Sequence, residues 1–62
     1  MDEINKLQET IKFYEERIKH NKELYDKTND VNFARYILAE NEILEETLEA
    51  LKAEYKKVRG LL

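Results

Sequence analysis

Thr28-Asn29-Asp30-Val31-Asn32 is the only interior run of cap and turn residues in this 62-residue chain. There is no proline, and the one glycine is Gly60, so nothing else interrupts a helix before the C-terminus. Outward from that run, apolar residues recur at alternating steps of three and four. Before it stand Ile4, Leu7, Ile11, Tyr14, Ile18, Asn21, Tyr25 and Thr28. After it stand Ala34, Ile37, Asn41, Leu44, Leu48, Leu51, Tyr55, Val58 and Leu62. If the chain folds back at 29–32, the rungs pair: Ile4 with Val58, Leu7 with Tyr55, Ile11 with Leu51, and so on to Thr28 with Ala34. The two residue numbers add to 62 in every pair. Facing layers of an antiparallel helical pair climb one helix as they descend the other, which produces this symmetry.

The spacing therefore predicts an all-α antiparallel two-helix hairpin, a single domain over 1–62 with a helix at 2–28, a turn at 29–32 and a helix at 33–59. Asp2 is the expected N-cap of the first helix, and Asn29 or Asp30 that of the second. Gly60 is the expected C′ residue, in left-handed conformation. Each helix would be about 40 Å long at 1.5 Å per residue. Lys12–Glu16, Glu15–Lys19 and Glu23–Lys27 are oppositely charged i,i+4 pairs that favour helix, whereas Glu42–Glu46 and Glu45–Glu49 repel.

Sixty-two residues make one small domain, and the chain reads as a complete small product. No apolar run is long enough for a signal peptide or a membrane span, so the expected location is the cytoplasm, with no membrane partner. Cysteine is absent, which excludes disulfide staples and thiolate metal sites. The formal charge of −3 argues against a dedicated nucleic-acid binder, which usually carries a basic excess.

Asn21 and Asn41 break both ladders at one layer. A polar side chain on a packed seam is costly unless its partner is polar too. Facing amides can hydrogen-bond, and a slip of one heptad would set each against an apolar rung. The two asparagines are therefore expected to pin the register.

Two helices bury only one stripe each, so a lone hairpin of this length is marginal. Phe13, Leu24, Phe33, Tyr36, Leu38 and Ile43 lie outside the seam, mostly toward the turn. Phe33, Tyr36, Ile43, Thr47 and Ala50 form a second stripe on the second helix. Such an apolar patch marks an interface. Self-association into a dimeric four-helix bundle or a higher oligomer is its simplest use, and docking onto a different protein is the companion use. Glu42, Glu46 and Glu49 would form an acidic margin that steers a basic partner.

Catalytic and cofactor chemistry lacks its residues. His20 is the only histidine, too few for a metal site, and Glu16–His20 has the wrong spacing for a di-iron bundle motif. There is no serine or cysteine nucleophile and no glycine-rich phosphate loop. A convex two-helix surface offers no pocket to raise a carboxyl pKa. No cofactor, metal or catalytic residue is expected. The primary expectation is a small non-catalytic protein-interaction module, a regulator, adaptor or inhibitor that binds a partner protein stoichiometrically. Short, cysteine-free, charge-rich helical products of this kind are familiar among phage and mobile-element accessory genes.

Two alternatives belong to other classes. In length and hairpin plan the chain resembles the repressor-of-primer family of small plasmid copy-number regulators. That resemblance implies a dimeric four-helix bundle that binds paired RNA loops on a face of its first helix; it carries no motif and transfers no residue. Lys6, Phe13, Arg17 and His20, on one side of the first helix, are the residues that would grip phosphate and stack on bases here. The other alternative is small-ligand capture between subunits by Tyr14, Tyr25, Tyr36 and Tyr55.

Overall fold

The computed structural model describes residues 2–61 and consists of two antiparallel helices. α1 spans Asp2–Lys27 and α2 spans Val31–Gly60. Leu62, the last residue of the second ladder, lies outside the described residues. The molecule measures 48 × 15 × 12 Å, with a radius of gyration of 14.4 Å. A compact domain of this length would have a radius near about 10.6 Å, so the hairpin is a rod with a seam rather than a globule with a core. Its accessible surface, 5221 Å², also exceeds the roughly 4,250 Å² of a compact monomer of 7.5 kDa.

The seam follows the ladders. Every described rung position is buried or half-buried except Tyr25, which is 41% exposed. Full burial is confined to the turn-proximal half, at Ile18, Asn21, Ile37 and Asn41. Toward the open end, Ile4, Leu7, Ile11 and Tyr14 are half-buried, as are Leu48, Leu51, Tyr55 and Val58 opposite them.

Only three residues link the helices. The Thr28 N–H closes α1 by donating to the Leu24 carbonyl at 2.9 Å. Asp30 caps α2: its Oδ1 accepts from the backbone N–H groups of Asn32 at 2.9 Å and Phe33 at 3.1 Å. The Asp30 N–H in turn donates to Thr28 Oγ1 at 3.2 Å. Asp30 thus serves as the cap in place of Asn29. A carboxylate satisfies the same orphan N–H groups and adds a negative charge at the positive end of the helix dipole. Because the cap is Asp30, α2 begins at Val31, two residues earlier than the pattern suggested.

The other ends differ from expectation. Asp2 is the first helical residue rather than the cap before it. Gly60 belongs to the last turn of α2, and no described residue has positive φ. Leu61, at φ −85° and ψ −8°, ends the helix by donating its N–H to the Val58 carbonyl at 3.1 Å. This tightened i→i+3 closure satisfies an end carbonyl without a left-handed residue.

Candidate functional site

The best-built polar cluster lies at the asparagine layer. Asn21 Nδ2 donates to Asn41 Oδ1 at 2.9 Å and also to Glu40 Oε1 at 2.9 Å. Asn41 Nδ2 donates to the Ile18 carbonyl at 3.4 Å. Arg17 Nε reaches the same Glu40 Oε1 at 3.1 Å. Among the described residues, no buried side-chain nitrogen or oxygen is left without a partner. Two amides alone could not satisfy each other's donors and acceptors; Glu40 accepts the second N–H of Asn21, and the Ile18 carbonyl accepts one from Asn41.

Glu40 is a residue that the sequence pattern did not single out. The Asn21 amide, followed by the neighbouring Tyr36 hydroxyl and by Arg17, holds its carboxyl below the ordinary 4.5 against a smaller opposing effect of burial. Conversely, hydrogen bonding toward Glu40 and the negative charge of that carboxylate, with a little desolvation, push the Tyr36 phenol above 10.0, while Arg17 opposes them.

The ion pairs cross between helices. Beside Arg17–Glu40 stand Lys22–Glu45 at 3.9 Å and Lys52–Glu15 at 3.4 Å. None of the expected i,i+4 pairs closes to 4 Å among the described residues; of their six members only Glu15 is in an ion pair, with Lys52 on α2. Arg17 and Lys22 are five residues apart, about 140° around the helix, and their partners put them on opposite sides of the seam. The hairpin therefore has two flanks that can be told apart by residue position.

One flank is apolar. On α1 it carries Phe13, His20 and Leu24 around Arg17; on α2 it carries Phe33, Tyr36, Ile43 and Ala50 around Glu40. Phe13, Tyr36 and Ile43 are 59%, 60% and 65% exposed. The Phe33 and Tyr36 rings stack at 6.4 Å between centroids. The other flank is charged. It carries Lys12, Glu15, Lys19 and Lys22 on α1 and Glu42, Glu45, Glu49 and Lys52 on α2.

This division sorts the residues singled out earlier. Phe13, Phe33, Tyr36 and Ile43 are exposed and share the apolar flank. Leu24 shares the flank and is half-buried: it sits seven residues after Arg17, on the line where this flank meets the seam. Thr10 and Thr47 are half-buried on the same line. Leu38 is exposed on the charged flank, away from the other five. Of the acidic margin, Glu42 and Glu49 also lie there, while Glu46 lies on the outer edge of α2, three residues from Ile43.

The surface is not uniformly convex. A shallow groove of about 350 Å³ on the charged flank is lined by Lys22, Tyr25, Ile37 and Leu38, among others. A second, about 420 Å³, wraps the turn between Tyr25, Thr28, Ala34 and Leu38. Neither gathers the four tyrosines. Tyr14 and Tyr55 lie in the seam, where the Tyr55 hydroxyl accepts from Gln8 Nε2 at 2.8 Å, and Tyr36 lies on the apolar flank. Lys6, Phe13, Arg17 and His20 do share one flank, with Arg17 held by Glu40. Among the described residues no three His, Cys, Asp or Glu side chains are placed to hold a metal ion, and no helix is long and apolar enough to cross a membrane.

Comparisons with protein-family models, curated proteins and solved structures give no match.

Proposed function

We propose that this chain is a small non-catalytic interaction module that works by binding protein through its apolar flank, with self-association into a helical bundle as part of that activity. The observation that carries the reading is the one-sidedness of the hairpin. Four exposed large apolar side chains, Phe13, Phe33, Tyr36 and Ile43, share one flank, while the opposite flank is mostly charged, with Leu38 and, seven residues earlier on α2, Val31 exposed toward the turn. Scattered surface hydrophobics need no explanation, but four large apolar side chains gathered on one flank of a protein this small do. The excess surface of the rod over a compact monomer points the same way, since association is the means by which a chain with so little core buries more.

The test is a Tyr36→Asp, Ile43→Asp double variant. Both positions are well exposed, so helix content by circular dichroism should be kept. Association in sedimentation velocity, and the capture of any partner from host lysate, should be lost. Unchanged behaviour in both assays would refute the reading.

A further inference from the structure

Beyond the interaction reading above, we infer that the hairpin carries a second, separate contact site. It is the groove beside the turn on the charged flank. Its ligand is a basic peptide segment of a partner protein, one that sets a large apolar side chain between two cations.

Apolar residues that the apolar flank does not account for gather at this groove. Tyr25 is the one described rung that is exposed, at 41%, and Leu38 is 53% exposed on a flank that is mostly charged. Both line the groove of about 350 Å³. Both also line the groove of about 420 Å³ that continues around the turn to Val31. The first is at the lower end of the roughly 300–1,000 Å³ typical of ligand sites. It has room for one leucine-sized side chain and a short stretch of backbone.

The floor offers a directional contact. It is made by Ile37 and Asn41, which are 2% and 7% exposed. One Nδ2 N–H of Asn41 goes to the Ile18 carbonyl at 3.4 Å, and the other has no acceptor among the described residues. A buried amide N–H without an acceptor is costly, and one that borders a groove can take its acceptor from outside. A peptide carbonyl supplies it.

Charge selects the ligand. The walls carry one base, Lys22, against three acids, Asp26, Glu42 and Glu45. Lys22 faces Glu45 at 3.9 Å, whereas Asp26 and Glu42 are in no ion pair among the described residues. Asp26 stands on α1 and Glu42 on α2, one on each wall. Positions whose numbers add to 62 stand level, as the Asn21–Asn41 hydrogen bond demonstrates. Asp26 is therefore level with 36, six residues or about 9 Å from Glu42 along the rod. Lysines at i and i+2 of an extended peptide start about 7 Å apart, and their long stems reach both walls. In the neighbouring groove Arg35 balances Asp30, the cap of α2, so the negative field belongs to the first groove. An anionic ligand is repelled there, and a neutral one leaves both free carboxylates unmatched.

The probe is acetyl-Lys-Leu-Lys-amide, titrated at low salt into the isotope-labelled full chain and followed by NMR. Saturable shifts should centre on Tyr25, Leu38 and the Asn41 side-chain amide, with Kd near about 1 mM. Acetyl-Glu-Leu-Glu-amide and acetyl-Lys-Gly-Lys-amide should each bind at least about tenfold more weakly. Leu38 and Glu42 are exposed, so Leu38→Ser and Glu42→Lys should keep their helix content and each weaken binding about fivefold to tenfold. The Tyr36→Asp, Ile43→Asp double variant should bind the tripeptide as the parent chain does. The groove is refuted by the lack of a saturable shift at about 10 mM peptide, by equal binding of the acidic tripeptide, or by indifference to both Leu38→Ser and Glu42→Lys. Shifts centred on Phe13, Tyr36 and Ile43 that vanish in the double variant would also refute it, by moving the peptide to the apolar flank. Failure of the groove leaves the apolar-flank reading standing, because that reading is decided by association of the double variant and not by this peptide.

Discussion

The half of the seam next to the turn and the half at the open end are built from the same ladder but reach different degrees of burial. Ile18, Asn21, Ile37 and Asn41 are 2–7% exposed, while the four rungs beyond them are only half-buried. The same kinds of side chain are thus worth more in one half than in the other. What differs is the surroundings. Near the turn, the three-residue link holds the helices together, and the polar cluster of Arg17, Asn21, Glu40 and Asn41 closes over the rungs. At the open end, among the described residues, the Gln8–Tyr55 hydrogen bond crosses the seam, and no buried polar cluster closes over it. Burial in this hairpin therefore peaks at the asparagine layer and falls off toward both ends, to Tyr25 at 41% exposure on the turn side.

The largest test of that gradient is Ile37→Ala, which removes the most buried side chain. It should cost about 2–4 kcal/mol in thermal unfolding followed by circular dichroism at fixed protein concentration. A loss no greater than that at an open-end rung would flatten the gradient. Next is Asn21→Leu, expected to cost about 1–3 kcal/mol because it strands the Asn41 amide in the seam. Asn21→Leu with Asn41→Leu should recover much of that loss, and additive effects in the double-mutant cycle would show that the two amides do not act as a pair. Asp30→Ala, which removes the α2 cap, should cost about 1 kcal/mol. Ile4→Ala, at the half-covered open end, should cost less than about 1 kcal/mol.

The smallest effect is that of pH, and its sign is set by the cluster. Glu40 titrates below its ordinary 4.5 in the folded state, so its contribution is full above that value and is lost as pH falls through the lower folded value. Tyr36 is raised above 10.0; its contribution is full below 10.0 and is lost as pH rises through the higher folded value. Glu40→Gln should flatten the acid limb of a stability–pH profile, and Tyr36→Phe the alkaline limb.

The rungs were legible because seam burial imposes a period on the sequence, and antiparallel pairing imposes a constant sum on the rung numbers. Both survive in a bare string of residues. The Asn21–Asn41 hydrogen bond was legible for the same reason, as two amides at one level of an otherwise apolar seam. Glu40 was not. Its role depends on which acid of a run of acids happens to face Arg17 and Asn21 across the seam, and that only emerges once the flanks are separated. The i,i+4 pairs pointed correctly to helix, though none of them closes as an ion pair, since each is worth only a few tenths of a kcal/mol. Gly60 misled because a glycine near a helix end only permits a left-handed cap; the chain closed its last turn through Leu61 instead.

The three-residue link also has a mechanical consequence. It places the start of α1 beside the end of α2, so tension applied between those two points peels the helices apart instead of sliding them lengthwise. Load then falls on one rung at a time, Ile4 with Val58 first and the amide layer late. A pair opened by peeling yields at far smaller force than the same contacts loaded in shear, and this rod will lengthen in graded steps under a gentle pull.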